Sequence, residues 1–102
     1  MQEPKDFVRI VNKKRYSVKS ATLIASDCYW DGHNFERNGT NTWLYKTAKG
    51  AYFTVTLSQW QGAQDTLEPV SQAQAIEMFE DYLSEHEVSY KEAFPDVVVV
   101  DA

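Results

Sequence analysis

Residues 42–58, TWLYKTAKGAYFTVTLS, carry the strongest structural signal in the chain. Trp43, Leu44 and Tyr45 lead into the polar run Lys46-Thr47-Ala48-Lys49-Gly50, and Tyr52 to Leu57 follow. Two aromatic, β-branched runs around a short polar break predict two strands and a tight turn. Gly50 is free to take the left-handed conformation that closes a short hairpin with a bulge. Along the second run Phe53, Val55 and Leu57 alternate with Tyr52, Thr54 and Thr56, so one face is expected on the core and the other free to be wet.

Downstream, residues 58–70, SQWQGAQDTLEPV, read as a polar connection broken by Gly62 and Pro69. Loops of this length tend to carry function. Ser71 and Gln74 then have capping-box spacing. Ala75, Ile76, Phe79, Tyr82 and Leu83 recur at helical spacing, with Glu77, Glu80, Asp81 and Glu85 mostly off that stripe. An amphipathic helix over 72–85, apolar face on the sheet, is predicted. Tyr90 to Phe94 is a candidate helical turn ended by Pro95. Val97 to Val100 lacks polar alternation, and four valines favour an extended segment. It is expected to pair with a sheet edge, in its own chain or in a second copy, which would make a dimer through 97–100.

Upstream, Phe7 to Val11 reads as a strand and Asn12-Lys13-Lys14 as a polar turn, with Arg15 to Val18 resuming an extended path. Residues 17–26, SVKSATLIAS, admit helix or strand. A short helix capped by Ser17 or Ser20 is the expectation, although Val18, Thr22 and Ile24 also suit a strand. Residues 26–30 read as a strand leading into the Asp31-Gly32 turn, and 34–42 as a loop. The elements add up to an α+β domain. Its core is a small antiparallel sheet of about three to five strands built on the 43–57 hairpin, with the 72–85 helix on one face.

The 102 residues are 43% hydrophobic and 14% aromatic, which excludes a disordered chain. One domain of this size buries roughly two-thirds of its unfolded surface. The single cysteine forms no internal disulfide, which favours a reducing compartment. The first ten residues hold no apolar stretch of signal-peptide length, and no run nears the roughly 18 apolar residues of a membrane span. A soluble, cytoplasmic protein is expected. Net charge is −5, unevenly spread: residues 1–50 carry nine Lys/Arg and five Asp/Glu, residues 51–102 one Lys and ten Asp/Glu. Overall acidity opposes unspecific nucleic-acid binding but leaves room for a local basic patch.

The seven residues Asp27-Cys28-Tyr29-Trp30-Asp31-Gly32-His33 bring a thiol, an imidazole and two carboxylates together. Zinc needs four close ligands, and the only other histidine is the distant His86. A half-buried strand ending at a turn, with Cys28 as a small hydrophobe, is the simpler reading. A thiol nucleophile would need His86 to fold over it. Glycine-rich phosphate loops and the common hydrolase and metalloprotease motifs are missing, so no metal, cofactor or catalytic residue is expected.

Three surfaces remain as candidates. Trp60, set between glutamines, and the acidic residues Glu77, Asp81 and Glu85 could face a protein partner. Lys13, Lys14 and Arg15, with the sheet aromatics Tyr45 and Tyr52, could contact nucleic acid. The expectation is an accessory protein that acts by binding another macromolecule. The alternatives are a nucleic-acid-binding module using Lys13–Arg15, or a mobile-element inhibitor whose acidic helix occupies a basic nucleic-acid site.

Residues 14–26 (KRYSVKSATLIAS), 43–53 (WLYKTAKGAYF) and 67–83 (LEPVSQAQAIEMFEDYL) together resemble a loosely defined group of small, uncharacterised bacterial and mobile-element proteins. That group is marked by an R-Y-D-x-x-T-A-like start, an L-Y-x-T-x-x-G-x-Y-F hairpin and a P-L-S-x-x-E-A helix start. The resemblance spans residues 14–83. Ser17 stands where the pattern prefers Asp, Gln74 where it prefers Glu, and Gly62 alone represents its glycine-rich stretch. The resemblance implies the same architecture and no particular activity.

Overall fold

The structure is a computed structural model that describes residues 4, 6–26, 40–58, 66–83 and 85–101. The central hairpin forms as its sequence demands. Strands β4 (Thr40–Thr47) and β5 (Tyr52–Ser58) pair antiparallel, with Tyr45 opposite Phe53 and Trp43 opposite Val55. The Gly50 amide donates to the Thr47 carbonyl at 3.0 Å, and Gly50 has φ +87°. The Thr47 amide reaches the Ala51 carbonyl at 2.8 Å, closing a three-residue loop of the bulged type.

Three more strands complete a five-stranded antiparallel sheet in the order β6-β5-β4-β3-β7: β3 (Ala21–Ser26), β6 (Thr66–Val70) and β7 (Glu85–His86). Two of these correct the sequence reading. Residues 21–26 are a strand, with only one 3₁₀ turn, Val18–Ser20, before it. The pairing with β4 decides, because it gives Ala21, Thr22, Leu23, Ala25 and Ser26 each a ladder partner. A bulge between Leu23 and Ala25 puts the consecutive Ile24 and Ala25 into one core. Residues 66–70 are also a strand, although they include Pro69. Proline is tolerated there because β6 is the sheet edge, where a missing N–H breaks no ladder. Leu67 points inward, fully buried, between exposed Thr66 and Glu68.

A separate hairpin, β1 (Val8–Val11) and β2 (Lys14–Ser17), is joined by Asn12 and Lys13 at φ 53° and 66°. That is a two-residue turn with both central residues left-handed. The hairpin covers the sheet face of Phe53 and Val55, where Tyr16, Val18, Trp43, Tyr45 and Leu67 complete one core. Tyr45 stacks on Phe53 with ring centroids 5.2 Å apart, and Tyr16 meets Phe53 edge-on at 5.7 Å. The helices cover the other face, where Ile24, Leu44, Tyr52, Ala75, Phe79, Leu83 and Phe94 form a second core. Neither face of the hairpin is wet: Tyr52 and Thr54, expected on the open side, are buried.

Helix α1 (Gln72–Glu77) starts at the expected capping box. Gln74 N donates to Ser71 Oγ at 3.1 Å, and Ser71 N donates to Gln74 Oε1 at 2.9 Å. It continues as a π-helical turn, Met78–Tyr82, closed by a 2.8 Å bond from the Leu83 amide to the Met78 carbonyl. The wider turn keeps Ala75, Phe79 and Leu83 on the core but rotates Tyr82 out to solvent, 61% exposed against its expected inward place. The helix therefore ends three residues before the predicted 85. His86 Nε2 donates to the Phe79 carbonyl at 2.8 Å, and its ring stacks on Phe79 at 3.8 Å. Those contacts satisfy an orphan carbonyl at the helix end and hold residues 85–86 as a strand against β3. A short second helix, α2 (Tyr90–Ala93), is tied to the sheet where Tyr52 donates its hydroxyl to the Ala93 carbonyl at 2.7 Å. Burial pushes the Tyr52 phenol up from its ordinary value.

Candidate functional site

The two tight turns lie side by side. The β1–β2 turn brings Lys13, Lys14 and Arg15, and the β4–β5 turn brings Lys49, around one groove of about 520 Å3. Tyr16, Ala48 and Ala51 give it apolar lining, and Ser20 and Thr47 supply hydroxyls. All four cations are exposed, and among the described residues none has an ion-pair partner. The only ion pair among those residues is that of Arg9 with Glu68, at 3.2 Å; Arg9 Nη1 also donates to the Leu67 carbonyl, clamping the hairpin to the sheet edge. Four unpaired positive charges around a concavity attract a ligand with several negative charges.

Lys13 is the least expected of the four. Its left-handed backbone suits glycine or asparagine and costs a lysine about 1–2 kcal/mol. Strain of that kind concentrates at functional positions. Lys49 is the residue that sequence reasoning missed. It lies 34 positions from Arg15 in the chain, and only the packing of the hairpin on the sheet makes them neighbours.

The sheet aromatics do not join this site. Tyr45 is 1% exposed and Tyr52 4%, and they lie in different cores on opposite faces of the sheet. Neither can stack on a base, which corrects the expected nucleic-acid contact through them. The acidic residues are spread as well: Glu77 and Asp81 are exposed on the helix, but Glu85 lies on β7. They do not form one helical face, because the helix has ended before Glu85. Trp60 and the 27–33 cluster with Cys28 and His33 lie outside the described residues. Val98, Val99 and Val100 are 70–84% exposed and pair with no strand among the described residues, so of the two expected pairings, own chain or second copy, the first is not formed there.

Among the described residues, no group of three or more His, Cys, Asp or Glu side chains is placed to hold a metal ion. Among them, too, no helix is long and apolar enough to cross a membrane. Fold and groove together define an α+β domain with a cationic concavity at one end of its sheet. No protein-family model matches the chain, and no curated protein and no solved structure is significantly similar to it.

Proposed function

We propose that this chain is a binding module that acts on another macromolecule by contact rather than by chemistry, and that its partner is the phosphate backbone of a nucleic acid held in the basic groove. The observation that carries this reading is the convergence of Lys13, Lys14, Arg15 and Lys49 from two separate turns, without acidic partners among the described residues. The net charge of −5 does not oppose it, because a cluster of the acidic residues lies away from the groove. The acidic residues Glu77, Glu80 and Asp81 sit on the helix side, and the cations belong to the hairpin side. A polyanion is then drawn to one face and repelled from the other. With Tyr45 and Tyr52 buried, recognition runs through phosphates and not through stacked bases, so it should be tolerant of sequence.

The test is fluorescence anisotropy with labelled mixed-sequence DNA, single-stranded and duplex, over a range of salt. Four engaged cations give a slope of log affinity against log salt of about −3. Lys49→Gln, in an exposed turn that leaves the fold intact, should reduce that slope by about one. Absence of binding at low salt, or a Lys49→Gln protein with the wild-type affinity and slope, would refute the proposal.

A further inference from the structure

Among the described residues, two apolar features have no partner. One is strand β1, where Val8 is 49% and Ile10 63% exposed. The other is the segment Asp96–Asp101, in which Val98, Val99 and Val100 are 84%, 70% and 80% exposed. The backbone of β1 is open at the same residues. The pairing Val8↔Ser17, Arg9↔Tyr16, Ile10↔Arg15, Val11↔Lys14 closes a two-residue turn, and the Val18 amide donates to the Phe7 carbonyl at 3.0 Å. Alternation along an antiparallel pair therefore turns the amides and carbonyls of Phe7, Arg9 and Val11 toward β2, and those of Val8 and Ile10 away from it. No strand among the described residues takes that free edge. Val8 and Ile10 thus present exposed aliphatic side chains and unpaired backbone together, which is the requirement for strand addition.

We propose that the free edge of β1 is filled by the Asp96–Asp101 segment of a second copy, in a reciprocal exchange that makes a two-fold dimer. An antiparallel register with Val98 opposite Ile10 and Val100 opposite Val8 brings the most exposed side chains of both features onto one face. The same register sets Asp96 opposite Asn12, beside Lys13 and Lys14, so charge complements the apolar match. The segment cannot do this within its own chain. Val97 packs on the helix-side core, whereas β1 belongs to the hairpin on the opposite side of the sheet. The five-stranded sheet stands between them. Val98 to Asp101 spans at most about 14 Å when extended. Reciprocity repeats the contact twice about the axis, which a short strand needs to approach the size of a stable interface.

Sedimentation velocity of the full chain over a wide concentration range tests this, with circular dichroism to confirm folding. Wild type should shift from monomer to dimer as concentration rises. Ile10→Asp and Val98→Asp should each remain monomeric, since both alter exposed side chains of the shared apolar face and leave the cores untouched. A wild-type protein that stays monomeric overturns the proposal. So does a dimer that survives either substitution, which would indicate a different contact.

Discussion

Gly50 and Lys13 occupy the same kind of backbone conformation at the two turns that frame the groove, and only one of them suits it. At Gly50 a Cβ would meet nothing within 4 Å, so the cost of a side chain is backbone strain alone. Gly50→Ala should lower stability by about 1–2 kcal/mol, and Gly50→Asn by clearly less, because asparagine tolerates the left-handed region. Urea denaturation compares the two. Equal losses would mean that something other than φ sets the cost. At Lys13 the reasoning is reversed. Lys13→Gly should raise stability by up to about 1–2 kcal/mol while weakening polyanion binding. A variant that is both less stable and equally good at binding would remove Lys13 from the site.

At the scale of elements, the helix is defined at one end by its own sequence and at the other by a distant residue. The Ser71–Gln74 capping box is local, and Ser71→Ala should cost about 1 kcal/mol in the denaturation midpoint. The C-terminal end depends on His86, which caps the Phe79 carbonyl from a strand that is itself held by β3. The π turn between them explains why Tyr82 stands in solvent while Phe79 and Leu83 remain buried. Beside it, Tyr90 donates its hydroxyl to Glu80 at 2.8 Å, a bond that holds the Tyr90 phenol above its ordinary value and links α2 to α1. Because the folded state keeps that proton more tightly, this contribution is present below the ordinary tyrosine range and is lost as pH rises through the raised value.

At the scale of the whole molecule, the described residues form three layers: helices, a five-stranded sheet and a two-stranded hairpin, with a core on each side of the sheet. Tyr52, Leu44 and Ile24 in one core alternate along the same strands with Phe53, Tyr45, Trp43 and Val55 in the other, so neither core can loosen alone. Phe94→Ala on the helix side and Leu67→Ala on the hairpin side should therefore each cost about 2–5 kcal/mol. Both should still unfold in one transition, with near- and far-ultraviolet circular dichroism coinciding. Separate transitions for the two variants would show that the layers are independent.

The local features were legible in the residues themselves: the 42–58 hairpin, the left-handed Gly50, the polar turn at Asn12–Lys13, the Ser71 cap and the α+β class. Each rests on interactions within a few positions, such as a steric preference at one φ, a side chain reaching back three residues, or a period of two. The rest depended on neighbours far apart in the chain. Residues 21–26 allow helix or strand until β4 supplies ladder partners. Pro69 breaks a strand unless the strand lies at an edge. The Tyr52 face of β5 looks free to be wet until the helices cover it, while the N-terminal hairpin covers the Phe53 and Val55 face and buries Tyr45 away from any ligand. Three of the groove's four cations, Lys13, Lys14 and Arg15, could be read from sequence because those charges are adjacent. Lys49 could not, since nothing local brings the β4–β5 turn to the β1–β2 turn. Burial and long-range strand pairing decide these features, and both belong to the assembled sheet rather than to any segment of it.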